Sequence, residues 1–283
     1  MTTHINIGTC VPVSIHIIEA RPSKVVKTPY VCDITVDDVL CQAHTPSLGC
    51  NGMVDKGASV ITVKREGTKG KCSHGVIGSL LNLDERSIVV GVDPSLAERF
   101  AGSMLKGGLG DKLRVKPGVE LQSQKTYDDC RFDYCGIADD GRPFICEVKN
   151  VSIAEYDDIP PKQRAKIDYT GRDPMTKTAV FPSGYKPKGQ THSERALKHT
   201  NTLARVKQEN PEMRCVILFV VQRDDAIVFQ PCNGDQIYKE ALKNAKESGV
   251  EIYAARVSWH YDPDASTATP TYDRTGCLMD VNI

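Results

Sequence analysis

The stretch Arg131-Phe-Asp-Tyr-Cys-Gly-Ile-Ala-Asp-Asp-Gly-Arg-Pro-Phe-Ile-Cys-Glu-Val-Lys149 decides how this sequence is read. On either side of the turn signal Asp139-Asp140-Gly141, apolar and polar residues alternate, which is the period of a β-strand. Two such runs joined by Asp-Asp-Gly read as a β-hairpin. Glu147 and Lys149 are next-but-one neighbours, so a strand directs both to one face. Asp133 shares that face only if the register sets it across from Glu147 rather than Val148, because a slip of one residue reverses every side chain. A three-residue turn at 139–141, or a bulge, would produce that register.

Such a set has a chemical use. Two carboxylates at adjacent strand positions are hard oxygen ligands suited to Mg²⁺ or Mn²⁺, ions that keep several waters and need no all-protein cage. A neighbouring lysine can orient the metal-bound water or stabilise charge developing on a phosphate. That is the logic of metal-assisted phosphodiester hydrolysis. The spacing by itself is equally that of the wet face of a hairpin carrying weak ion pairs.

Working outward, residues 28–63 read as short β-segments broken by turn formers, with a turn-rich loop from His44 to Met53, the pattern of a small barrel. Ile88-Val-Val-Gly-Val92 reads as a buried strand, and Asp93-Pro-Ser95 as a helix start, with Glu98 placed to complete a capping box with Ser95. Beyond the hairpin the order is insertion, helix, strand, strand, helix, strand. Helical periodicity covers 193–209, with Ala196, Leu197, Leu203, Ala204 and Val206 as its apolar stripe, and 236–247; Cys215-Val-Ile-Leu-Phe-Val-Val221 is the run of a central strand. The organisation expected is an N-terminal domain over 1–86, an α/β domain over 87–260 with a surface insertion at 157–178, and a loosely ordered tail over 261–283.

Lysine plus arginine and aspartate plus glutamate both total 36 in 283 residues, so no global charge advertises a polyanionic partner. Basic residues do cluster locally, as Lys64, Arg65, Lys69 and Lys71, and as Lys186, Lys188, Arg195 and Lys198. The 11 cysteines are odd in number and irregularly spaced, with no CxxC pair, so reduced thiols in a cytoplasmic compartment are expected rather than a disulfide framework or a thiolate metal site. No apolar run approaches the roughly 20 residues that span a bilayer.

An ordered series of segments resembles the sugar fermentation stimulation protein family: Ala43-His44-Thr45-Pro46, Gly49, Val89-Val-Gly-Val92, Arg131-Phe132-Asp133, Glu147-Val-Lys-Asn-Val151, Phe181-Pro182, Gly189-Gln-Thr-His192, Leu218-Phe-Val-Val-Gln222 and Gly249-Val-Glu-Ile252. The resemblance implies an OB-like N-terminal barrel followed by a restriction-endonuclease-like PD-(D/E)xK domain. It also implies DNA, single-stranded or duplex, as the partner. Asp133 and Glu147 then become the ligands of Mg²⁺ or Mn²⁺, and Lys149 the catalytic lysine. Arg131, Lys188, Gln190, His192 and His44 become contacts to nucleic acid, with Glu98 either a further acidic group of the site or only a helix cap. A homodimer is left open. The departures are Thr45 and Ser47-Leu48 in the loop, Ser183 after Phe181-Pro182, Lys188 for the usual arginine, and a longer insertion. Two functions fit: a metal-dependent nuclease, or a DNA-binding regulator linked to sugar metabolism that keeps the nuclease fold without cutting.

Overall fold

A computed structural model describes residues 4–6, 11–48, 50–65, 72–83, 86–127, 129–182, 193–273 and 277–283. Eight strands precede the first helix: β1 (His4–Asn6), β2 (Val11–Pro12), β3 (Ser14–Ile17), β4 (Val31–Val36), β5 (Val39–His44), β6 (Ser59–Lys64), β7 (His74–Asn82) and β8 (Ser87–Gly91). After α1 (Pro94–Gly107) come β9 (Gln122–Tyr127), β10 (Cys130–Ile137), β11 (Pro143–Val151), β12 (Ala154–Glu155), the short α2 (Pro161–Arg164) and β13 (Lys177–Phe181). The chain then forms α3 (Glu194–Glu209), β14 (Arg214–Val221), β15 (Ala226–Pro231), α4 (Gln236–Glu247), β16 (Glu251–Arg256), β17 (Ser258–Asp262), β18 (Thr267–Asp273) and β19 (Asp280–Val281).

The hairpin expected at 131–149 is β10 and β11. Its connection is a three-residue turn: Ala138 N–H donates to Arg142 O, Gly141 N–H donates to Ala138 O, and Gly141 takes the left-handed φ of 86° that closes such a loop. Arg214, buried at the start of β14, forks onto Glu251 and reaches Asp140 at 3.3 Å, which pins the turn to the middle of the sheet.

The hairpin belongs to a five-stranded sheet in the order β16-β14-β11-β10-β9. β11, β14 and β16 run parallel, while β10 and β9 are antiparallel additions. Both faces are covered. Leu96, Phe100 and Met104 of α1 pack with Phe144, Cys146, Val148 and Leu218 on one face; Leu203 and Val206 of α3 and Tyr238 and Leu242 of α4 pack with Ile145, Val151, Ile217 and Phe219 on the other. All eight residues of β14 are buried, as the apolar run predicts for the centre of a doubly covered sheet. A second sheet, β12-β13-β15-β19, continues the α3 and α4 side.

The N-terminal strands form a six-stranded sheet, β3-β6-β7-β5-β4 with β8 also on β7. It curls until its two ends meet in a single bridge, Ala20 with Asp33, and among the described residues no ladder closes it. The expectation of a barrel is therefore corrected to an open, curled sheet: short strands with frequent turns specify curvature, but closure depends on long-range pairing that they do not encode. Strand β8, grouped by sequence with the second domain, pairs with β7. The segment after Asp262 was expected to be loose, yet β18 pairs with β1, β2 and β17. Its alternating Thr and Ala reads as a polar tail until those partners cover one side. Residues 157–176 hold only α2 and otherwise irregular structure, while Lys177 and Thr178, the last two residues of the expected insertion, begin β13.

The cap of α1 also differs from expectation. Asp93, not Ser95, is the N-cap, its Oδ1 accepting from Ser95 N–H at 2.9 Å, so Glu98 has no capping task. Farther along α1, Gly102 lets β10 approach: Tyr134 Oη donates to Glu98 O at 2.9 Å, and a Cβ on Gly102 would lie 2.6 Å from that oxygen and 2.9 Å from Cζ. Gly102→Ala gains about 1 kcal/mol of helix propensity, yet overpacking costs of about 1–3 kcal/mol outweigh it. Urea denaturation should show a net loss of stability, reduced in the Tyr134→Phe background, where the nearer of the two clashing atoms is gone. An unchanged or raised midpoint for Gly102→Ala alone would contradict the close approach.

Candidate active site

Alternation along β11 sends Cys146 and Val148 to the α1 face and Glu147 and Lys149 to the face covered by α3. Both charged side chains are thereby largely withdrawn from water, with 5% and 11% of their surfaces exposed. Lys149 Nζ lies 2.5 Å from Glu147 Oε1, and His199 Nδ1, from the buried side of α3, reaches the same oxygen at 2.5 Å. Since an ionised carboxylate only accepts, His199 carries its proton on Nδ1.

Asp133 arrives by a local break in the sheet. The β10–β11 ladder ends at Tyr134 with Cys146, and the next position on β10 is Asp133. There the carboxylate replaces the backbone: Asp133 Oδ2 accepts from Val148 N–H at 2.7 Å. On the other side Gln124, the β9 residue across from Asp133, takes a left-handed φ of 55° and drops out of the β9–β10 register. Its Nε2 donates to Asp133 Oδ1 at 3.2 Å and to Glu98 Oε2 at 3.0 Å. Three carboxylates and a lysine thus line one open cleft of ≈ 340 Å³, together with Arg195 of α3 and Ser47 of the N-terminal loop.

The electrostatics follow from crowding. Burial, then the neighbouring Glu147 and Glu98 charges, push the Asp133 carboxyl up to about 6 despite the Val148 N–H and Lys149. Glu98 is likewise raised, by burial first and by Glu147 second. Burial would raise Glu147 as well, but the His199 hydrogen bond and the Lys149 charge outweigh it and hold this carboxyl below its usual range. Glu147 Oε2 is buried with no hydrogen-bond partner, a costly condition for a carboxylate oxygen. An orphaned buried oxygen beside two carboxyls pushed toward protonation is a donor set short of positive charge, and a hard divalent cation fits it. Among the described residues no cysteine lines the cleft. Among the described residues no three His, Cys, Asp or Glu side chains form a ready-made metal cage, so any ion held here keeps waters, as Mg²⁺ and Mn²⁺ do.

Of the residues singled out by sequence, Asp133, Glu147 and Lys149 come together in the cleft. Arg131 is exposed on β10, close enough for its charge to lower the Glu98 pKa. His44 ends β5, half-buried, its pKa lowered by burial and by Arg65; it does not line the cleft. Lys188, Gln190 and His192 lie outside the described residues. Sequence reasoning missed His199 and Gln124. A signal existed for the first, since His199 sits three residues after Ala196 and four before Leu203, inside the apolar stripe of its helix. None existed for Gln124, whose place depends on its backbone conformation.

Comparison with known proteins agrees with this architecture. The profile of the sugar fermentation stimulation protein RE domain matches residues 174–263. The sugar fermentation stimulation protein homolog of Desulforamulus reducens is 27% identical over 226 residues, covering 80% of both chains. The Clostridium tetani homolog is 26% identical over 223 residues, covering 78% of this chain and 82% of its own. Among solved structures, that of Pyrococcus furiosus SfsA in complex with Ca²⁺ superposes with a TM-score of 0.71 over 99% of this chain and 100% of that one, at 18% identity, a likeness of fold. Over about 80% of its length the chain is similar to members of the sugar fermentation stimulation protein family.

Proposed function

We propose that the protein is a metal-dependent nuclease that hydrolyses phosphodiester bonds in DNA, using the Asp133, Glu147 and Lys149 set in the PD-(D/E)xK manner. The observation that carries the reading is the buried, unpartnered Glu147 Oε2 beside the raised Asp133 carboxyl. The Ca²⁺ complex of the Pyrococcus relative supports a divalent ion in this family; the donor set here suits Mg²⁺ or Mn²⁺.

Asp133 and Glu147 would hold the ion, with Glu98 joined to Asp133 through Gln124. When bound, such an ion acidifies a water and offsets charge on the phosphate. His199 and Lys149 keep Glu147 ionised and oriented, which leaves its second oxygen for the ion. The Lys149 ammonium stands at the cleft wall, where it can stabilise charge gathering on a reacting phosphate. Arg195 in the cleft and Arg131 beside it counter the carboxylates and make the mouth tolerable for a polyanion.

Two outcomes follow. Because the folded Asp133 pKa, about 6, lies above that of the unfolded chain, its contribution to stability is fully present below the unfolded carboxyl pKa and is lost as pH rises through about 6. In EDTA, Asp133→Asn should therefore gain thermal stability relative to wild type as pH rises from 4 to 7.5, and Mn²⁺ should stabilise wild type far more than the variant at pH 7.5. Parallel melting curves for the two proteins across that range would remove the crowded-carboxylate account.

Cleavage separates enzyme from binder. With Mg²⁺ or Mn²⁺ and single-stranded or duplex DNA, Lys149→Ala should lose roughly 10²-fold or more in rate, the scale for one preorganised electrostatic group. DNA affinity should change little, since one lysine is a small part of a phosphate footprint. Asp133→Asn should abolish metal-dependent cutting. If wild type binds DNA but forms no more product than the Asp133→Asn/Lys149→Ala double variant, the regulatory reading replaces this one.

A further inference from the structure

Helix α1 has two working sides. Pro94 and Glu98 line the carboxylate cleft, whereas Ser95, Leu96, Arg99 and Phe100 line a second and larger cavity of ≈ 880 Å³. This cavity lies where β6 and β7 of the N-terminal sheet, α1, and the β2, β17 and β18 strands meet. Its floor is apolar and aromatic: Ile77, Leu96, Phe100 and Trp259, the last two packed edge to face with centroids 5.6 Å apart. The Trp259 N–H is directed to Gln222 Oε1 at 3.3 Å, so the indole polar edge is already engaged and its carbon edges are left as lining. Lys64, Arg99 and Asp93 stand at the rim. Neither Lys64 nor Arg99 forms an ion pair among the described residues. Asp93 uses one oxygen, Oδ1, to cap α1.

We propose that this cavity binds a nucleotide, with its base against the Phe100 and Trp259 floor and its phosphate between Lys64 and Arg99. A volume of ≈ 880 Å³ is within the usual range of small-molecule sites. An apolar, aromatic floor beneath a two-cation rim matches a base carrying a phosphate. The Asp93 carboxylate favours a ligand with hydrogen-bond donors, such as a sugar hydroxyl or an exocyclic amine, over an acyl chain with an anionic head. Proximity adds to this: the cavity and the cleft share the first turns of α1, so the choice of a nucleotide rests in part on the proposed function. The same chemistry arises from a free nucleotide or from an unpaired nucleotide of a DNA strand whose neighbour enters the cleft.

Trp259 is the only tryptophan in the chain, so its emission reports directly on this cavity. Titrating the full-length protein in EDTA with deoxyadenosine monophosphate, and separately with an eight-residue oligodeoxyadenylate, should change that emission saturably in at least one arm. The arm that saturates at the lower nucleotide concentration identifies the source. Lys64→Ala and Arg99→Ala should each weaken the response about tenfold, the scale of one charge-assisted hydrogen bond. Three results would overturn the proposal: no saturable change in either arm, a response unaltered in both variants, or equal competition by inorganic phosphate or decanoate. A separate cleavage assay keeps the two readings apart. Saturable binding in a protein that cuts no DNA would leave the nucleotide site standing and remove the nuclease reading, whereas cleavage without any emission change would do the reverse.

Discussion

The bond from Val148 N–H to Asp133 Oδ2, at 2.7 Å, takes the place of one rung of the sheet. A backbone donor freed inside a covered sheet must find an acceptor, because leaving it bare costs about 1–3 kcal/mol. Here a side chain supplies it, and the consequence is positional. Phe132 belongs to the core under α3 and α4, while Tyr134 packs toward α1. These two residues are next-but-one neighbours and in a regular strand would share a face. The break between them brings the Asp133 carboxylate into the cleft beside Glu147, and Gln124 with its left-handed backbone holds the other side open.

Charge buried in a covered sheet is expensive unless it is paired and hydrogen-bonded. The Glu147 Oε1 atom meets that condition twice over, through Lys149 and His199, whereas Oε2 does not meet it at all. The buried Asp225 carboxylate is satisfied on both oxygens. Arg223 forks onto Asp225 at 2.5 and 2.7 Å and donates to Ser152 O at 2.6 Å, and Lys177 completes the same carboxylate. Beside the fully bonded Asp225, the half-satisfied Glu147 carboxylate marks a place kept for something else, the usual signature of a functional site.

The parts of the molecule are held in register by Gln222, fully buried at the end of β14. Its backbone accepts from Gly91 N–H of β8 and donates to Val151 O of β11, while its side chain bonds Asn150 and Trp259. One residue therefore ties the N-terminal sheet, the central sheet and β17 together close to the first turn of α1. The same helix presents Glu98 to one cavity and Arg99 to the other, so a single rigid element sets the relation between them.

How much of this was legible in the sequence depends on the range of the interaction. The hairpin and its turn, α3, α4 and the buried strand β14 could be read from residues 131–149, 193–209, 236–247 and 215–221, because two-residue and 3.6-residue periods and an Asp-Asp-Gly turn are local signals. The shared face of Glu147 and Lys149 could be read on the same ground, whereas Asp133 joined it only under one register and the roles of the three came from the family resemblance. The sequence by itself determined the β10–β11 hairpin, the buried strand β14 and the face that Glu147 and Lys149 share. Tertiary structure alone decided the rest. The N-terminal sheet stays open because closure requires a ladder between β3 and β4 that local pattern does not specify. The 267–273 segment becomes a strand because β1, β2 and β17 cover it. His199 meets Glu147, and Gln124 meets Asp133 and Glu98, across sequence separations of 52, 9 and 26 residues, through packing of α1 and α3 on the sheet and a backbone break at Gln124. Periodicity assigns a side chain to a face, but only the packing of one element on another decides what that face meets.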